Sequence, residues 1–270
     1  MTAPRDIGPG DFYLDGQPRI TAHENLPSLA ERHGVGLDEL QLEPVLVATF
    51  FPDLTEELVT SVGAEPTVLA DRRTPAGRVF KAEGFNIATM FMGASAAVML
   101  AEQWFASGVE TLLVVGAAGS LQPRLPIGSI ALPTEAVREE GTSHHYMPSD
   151  RPAVAGAGSM DALRAACVAR DVEAVEGLHW TTDAPYREHV EKVHAFQDAG
   201  VLAVDMEVSA LYIAAEHHGV DCAAVLAISD TLYEEAGWDA GFNGADYLGA
   251  RTLAGEVALD AARSLVASRL

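Results

Sequence analysis

Residues 111–115 read TLLVV, with no alternation of apolar and polar side chains. A strand with one wet face alternates, so an unbroken run of this kind must be covered on both faces. Residues 44–50 (PVLVATF) and 222–229 (CAAVLAIS) read the same way. Helical stretches separate these runs. Residues 95–107 form a helix ended by Gly108, residues 160–170 an amphipathic helix, residues 207–218 another, and residues 246–270 a long closing helix. Buried strands alternating with helices specify an α/β fold with a largely parallel sheet. No linker-like boundary interrupts the 270 residues. Residues 1–40, rich in Gly, Pro and charge, read as an irregular N-terminal arm, and 41–270 as one folded domain.

Shorter elements fill the gaps. Asp53 followed by Glu56 has the spacing of a capping box opening a helix that runs to Gly63. Residues 70–76 form a loop with two adjacent arginines, Arg72 and Arg73. Residues 78–83 and 85–92 are strand-like, as are 129–137, 173–180 and the short stretch 202–205. A polar loop spans 138–157, and 187–199 is expected to be a helix.

Charge and cysteine usage exclude several classes. Asp and Glu total 39 against 17 Lys and Arg, a net charge of −22. Such a surface repels phosphate backbones and anionic lipid, which argues against nucleic-acid and membrane-surface partners. The two cysteines, Cys167 and Cys222, sit in apolar stretches and make no CxxC. The first residues lack a basic, apolar leader, and no run of 18 uncharged apolar residues occurs, so a cytoplasmic protein is expected. No HExxH or other zinc-ligand spacing, no GxSxG elbow and no three-glycine dinucleotide turn is present.

Sites in α/β sheets lie beyond the carboxyl ends of strands. Five segments qualify: 92–95, 116–119, 180–188, 205–207 and 229–230. Two carry acids. Glu207 opens a helix, where the dipole favours negative charge, and Asp230 follows Ser229 at the end of a buried strand. Each alone reads as a cap or a turn residue; together, with Met206 between Asp205 and Glu207, they point to a site. The stripe Leu211, Ile213, Ala214 reads as core.

The run VDMEVSALYIAAEHHGV followed by VLAISD resembles the nucleoside phosphorylase superfamily, which includes purine nucleoside phosphorylase, uridine phosphorylase and methylthioadenosine nucleosidase. The likeness extends back through GAAGSL, SIALPTEAV and REEGTSHHY, covering residues 45–233, and the loops REEGTSHHY and TTDAPYRE look most like the uridine-phosphorylase branch. The resemblance implies a single three-layer α/β/α domain, its twisted mixed sheet partly closing into a barrel. It implies cleavage of a nucleoside N-glycosidic bond, no cofactor beyond phosphate as a possible co-substrate, and a homo-oligomer, dimer or hexamer.

Matched position by position, Met206 and Glu207 resemble the Met-Glu pair whose carboxylate accepts the ribose hydroxyls, with Asp205 as a second carboxylate and Met92 as the methionine packed on the sugar. Asp230 falls where purine-cleaving members place the acid that protonates the leaving base. Trp180 and Tyr186 flank the segment that carries an aromatic residue against the base, Arg187 is placed to contact a base carbonyl, and His23 matches an N-terminal histidine lent by a neighbouring subunit. The phosphate site departs from the pattern. Phe50 and Leu54 stand where the first loop carries glycine and arginine, Val114 where a second arginine precedes the Gly-rich turn, and Ala117 where a hydroxyl follows. Gly116 and Gly119 still offer backbone amides to an anion, and Arg72 or Arg73 matches the arginine donated across the subunit interface. Three readings stay open. One is a nucleosidase using water, with a carboxylate, His144 or His145 as base. Another is a phosphorylase. The third is a non-catalytic member that binds a nucleoside or base.

Overall fold

The computed structural model describes residues 12–70, 77–234 and 237–269. The strands are β1 (Val45–Thr49), β2 (Glu65–Pro66), β3 (Val79–Lys81), β4 (Phe85–Thr89), β5 (Thr111–Ser120), β6 (Ile130–Glu139), β7 (Ala153–Val154), β8 (Ala174–Thr182), β9 (Ala203–Asp205), β10 (Asp221–Glu234) and β11 (Gly237–Ala240). The helices are α1 (Ala22–His33), α2 (Pro52–Val62), α3 (Ala94–Ala106), α4 (Ala157–Ala169), α5 (Val190–Asp198), α6 (Val208–His218) and α7 (Ala245–Ala267).

β5 lies at the centre, parallel to both β1 and β10. Its apolar run is buried on both faces, and alternate residues divide between two cores. Leu112 and Val114 pack with Leu46, Ala224 and Leu226 against α1, α3 and α6. Leu113 and Val115 pack with Val47, Ala223 and Val225 against α2, α4 and α7. The three-layer α/β/α arrangement follows from that division. Full burial of each such side chain is worth about 1.5–3 kcal/mol.

The sheet is mixed rather than largely parallel. Strands β10, β6, β8, β9 and β5 pair in sequence, and β10 pairs again with β5, which closes a five-stranded barrel. Closure requires antiparallel joins, β10 with β6 and β5 with β9. β5 does not stop at a turn after Val115; GAAGS continues the ladder to Ser120. Small residues are needed there because β10 crowds it. A Cβ on Gly116 would lie 2.9 Å from Leu226 Cδ2, and one on Gly119 2.6 Å from Leu232 Cδ1.

Other expectations are corrected locally. The segment read as irregular holds α1, whose Thr21 capping box is complete: Thr21 Oγ1 accepts from the Glu24 amide at 3.1 Å and Glu24 Oε2 accepts from the Thr21 amide at 3.0 Å. Pro27 and the nearby glycines read as breakers, yet Leu26, Leu29 and Ala30 are buried in the core shared with α3. Asp53 caps nothing through a box; α2 starts at Pro52 with Phe51 as N-cap, which places Asp53 in the first turn. The helix expected from 187 is a single tight turn, Pro185–Arg187, followed by α5. β10 runs five residues past Ser229 and turns back into β11, a strand not anticipated.

Candidate active site

Barrel closure aligns the acids. Gly119 of β5 faces Val204 of β9 on one side and Asp230 of β10 on the other. Strands stand about 4.8 Å apart, so Asp230 and Val204 lie about 10 Å apart across this row. Asp205 and Glu207 follow directly, at the same end of the barrel.

Glu207 is the N-cap residue of α6 and is buried. Its Oε1 accepts the Gly93 amide at 2.6 Å, which ties the start of α3 to the start of α6. Asp205 is spent internally. It accepts Thr181 Oγ1 at 2.6 Å and the amides of Glu207 and Val208 at 2.9 and 2.7 Å. Asp205 therefore holds the α6 N-terminus in place rather than meeting a ligand. Burial and the neighbouring Asp205 charge push the Glu207 carboxyl well above the usual carboxylate range, with the amides of Gly93 and Met206 opposing.

Met206 and Gly93, the chain neighbour and the hydrogen-bond partner of Glu207, line a cavity of about 620 Å³ together with Ser95, Glu102, His145 and Asp183. Phe12 also lines it and stacks on His145, centroids 4.8 Å apart. No lysine or arginine among the described residues lines it.

Asp230 is 8% exposed and does not line this cavity. Ser229 Oγ donates to its Oδ1 at 2.6 Å and Trp238 Nε1 to its Oδ2 at 2.7 Å. Glu188, just before α5, is half-buried beside it. Burial, then the charges of Asp230 and Glu139, push the Glu188 carboxyl up to about 7. A carboxyl raised from 4.5 to about 7 holds its proton longer folded than unfolded, so it contributes stability at low pH that is lost as pH rises through that window. Glu188→Gln is expected to match the parent melting temperature near pH 4 and exceed it near pH 8, as scanning calorimetry at the two pH values would record.

The remaining candidates scatter. Trp180 is fully buried, packed on Phe196 at 4.7 Å with its Nε1 donating to Glu139 Oε2 at 2.6 Å, so it stacks on no base. Tyr186 is 99% exposed, and Arg187 and His23 are exposed. Met92 stands out in solvent beside Gly93, while Met206 reaches the cavity. His144 Nε2 lies 3.4 Å from the Arg138 carbonyl, off the cavity. Leu54 and Val114 are buried core residues, and the Phe50 ring lies 3.5 Å from where a Gly116 Cβ would stand. Arg72 and Arg73 fall outside the described residues.

Three contributors escaped the sequence reading. Thr181 joins Asp205 to α6, donating to the carboxylate and accepting the Ser209 amide at 3.0 Å. Buried Glu140 accepts Ser209 Oγ at 3.0 Å and the Ser143 amide at 2.9 Å, holding the polar loop against α6. Trp238 sits on the unanticipated β11. The polar residues TT and EE at the ends of β8 and β6 were the available signal for the first two.

The barrel-closing α/β sheet gathers its carboxylates at one rim, beyond strand ends. Residues 51–267 match the family model described as the phosphorylase superfamily, and the chain belongs to that family. It is 32% identical over 147 residues, 54% of this chain and 61% of the relative, to a guanosine phosphorylase of Halorubrum lacusprofundi. The chain spans about half the length of the curated relatives it matches. Its fold is that of purine nucleoside phosphorylase from Toxoplasma gondii in complex with immucillin-H, with a TM-score of 0.76 and 22% identity, covering 85% of this chain and 94% of that one. AMP nucleosidase from Bacteroides thetaiotaomicron also shares it, with a TM-score of 0.73 and 19% identity over 92% of this chain and 99% of that one.

Proposed function

We propose that this protein cleaves the N-glycosidic bond of a purine nucleoside and passes the sugar to water. The observation that carries the reading is that Val204, three residues before Glu207, and Asp230 pair either side of Gly119, at one end of the barrel. The C1′–N bond breaks with its electron pair leaving on the base, and Asp230 supplies the proton that keeps the base from departing as an anion. Positive charge develops on the sugar, and Glu207, holding the ribose diol in a buried position, stabilises it. Water adds at C1′ and gives up its proton to solvent. An acid at position 230 favours a purine, whose ring nitrogen can accept that proton.

The donors among the described residues support water as the acceptor. A phosphate dianion needs several charge-assisted donors. Leu54 and Val114 are sealed in the two cores, Phe50 covers Gly116, and the cavity lining carries no basic side chain among the described residues. The names of the curated relatives favour the second reading, phosphorolysis.

Product analysis separates the two. Purine and pyrimidine nucleosides are incubated with and without phosphate. Free base with free ribose, at a rate indifferent to phosphate, is expected. Ribose 1-phosphate formed only with phosphate would establish phosphorolysis, and binding without turnover across the panel would leave a non-catalytic nucleoside-binding protein.

A further inference from the structure

We infer that Trp238 is a positioning residue for the leaving-group acid: its indole N–H occupies Asp230 Oδ2, and an incoming base must displace it before that oxygen, protonated from solvent, can pass its proton to the base. The inference rests on the reading of Asp230 as that acid.

Both Asp230 oxygens accept hydrogen bonds in this structure. The two donors differ in kind. Ser229 Oγ also lies 3.3 Å from the Ala118 carbonyl, so its O–H can turn there and its oxygen can accept from a protonated Asp230. The indole N–H only donates. Oδ2, bonded to Trp238, is thus the oxygen that cannot carry a proton while the indole stays. Oδ2 lies 2.9 Å from where a Cβ on Gly119 would stand, so a glycine at 119 is what leaves the carboxylate its place beside the indole.

Trp238 is placed to be exchanged. It is 63% exposed, yet it spends its one polar group on an almost buried carboxylate. The β10–β11 ladder, pairing Asp230 with Ala240 and Thr231 with Asp239, carries it over the acid. Its ring leans on Phe242 at 5.9 Å, and Phe242 meets Tyr247 edge-on at 6.3 Å. An aromatic face of this kind stacks on any flat base without choosing between them. A base sliding against the ring takes the place of the indole N–H at Oδ2. The other titratable groups facing Asp230 are Glu188 before α5 and Tyr247 on α7, with Arg251 and Asp53 beyond Tyr247 and Asp239 along β11.

The test is the pH dependence of kcat/KM for a cleaved purine nucleoside, measured on the full chain. Trp238→Phe keeps a ring and removes the donor. Its alkaline limb is expected to move up by about one pH unit, the worth of one hydrogen bond to a charged group. Trp238→His, which can donate again, returns the limb toward the parent value. The same displacement is expected in the Glu188→Gln background, which removes the titration of Glu188 itself. A change in KM with an unmoved limb in Trp238→Phe overturns the inference and leaves the ring as a stacking surface only. Asp230→Asn is run alongside. If it is inactive while the Trp238→Phe limb stays put, the lock alone is wrong; if it turns over like the parent, the assignment of Asp230 is wrong and the lock falls with it.

Discussion

Glu207→Gln is expected to lower kcat/KM by about 10²–10³-fold while raising thermal stability above neutral pH. The two effects share one cause. In the parent, a buried carboxyl stands beside Asp205, answered by the amides of Gly93 and Met206. Its folded-state affinity for a proton is raised, so it contributes stability at low pH that disappears as pH climbs from the ordinary glutamate value through the raised one. A neutral amide loses nothing across that window. The introduced side chain can still accept the Gly93 N–H through its carbonyl oxygen, so the link between α3 and α6 survives. Glu207 can shed its proton to meet the developing positive charge on the sugar as an anion, whereas the amide offers only a dipole, and the rate falls. Calorimetry at pH 6 and pH 8.5 should show the variant's advantage widening with pH. Equal melting curves at both, or unchanged turnover, would remove Glu207 from the role given to it.

The fold was legible wherever burial wrote a pattern. TLLVV, PVLVATF and CAAVLAIS each became strands feeding two cores, because a run without alternation leaves no face for water. What closes the barrel was not legible from periodicity. The antiparallel joins of β5 with β9 and β10 with β6 are short, two residue pairs each, and leave no repeat to read. The resemblance to a family implied the barrel; the residues alone implied a largely parallel sheet. GAAGS looked like a turn because glycine usually marks one. Here it lets β10 approach β5, which only the partner strand reveals.

The site was legible as chemistry and less so as geometry. Asp205, Glu207 and Asp230 stood out as acids at strand ends, and they lie at one rim. The sequence does not say which acid is free. Asp205 is spent on α6 because Thr181, one strand away, turns toward it. Trp180 and Tyr186 occupy the expected segment but point into the core and into solvent, since strand alternation and a tight turn at Pro185–Arg187 decide their directions. Trp238 came from β11, a strand of four exposed residues with no hydrophobic pattern to announce it.

Asp230→Asn is expected to cost roughly 10²–10⁴-fold in turnover of ordinary purine nucleosides, the usual worth of a positioned general acid. The substitution is close to isosteric. The introduced carbonyl can keep the Trp238 N–H, and the introduced amide can donate to Ser229 Oγ once that hydroxyl turns to the Ala118 carbonyl. Binding should therefore persist, and the loss should fall on kcat. The choice of substrate makes the assignment sharper. A nucleoside methylated at N7 of the purine already carries the positive charge that a proton would bring, so its base departs neutral without an acid. Asp230→Asn should cleave that substrate at close to the parent rate while failing on the unmethylated one. A uniform loss on both would mean that Asp230 shapes the pocket rather than protonating the leaving group. Equal activity on both would mean that the proton comes from elsewhere, with half-buried Glu188, pushed up to about 7 and facing the same carboxylate, the next group to replace.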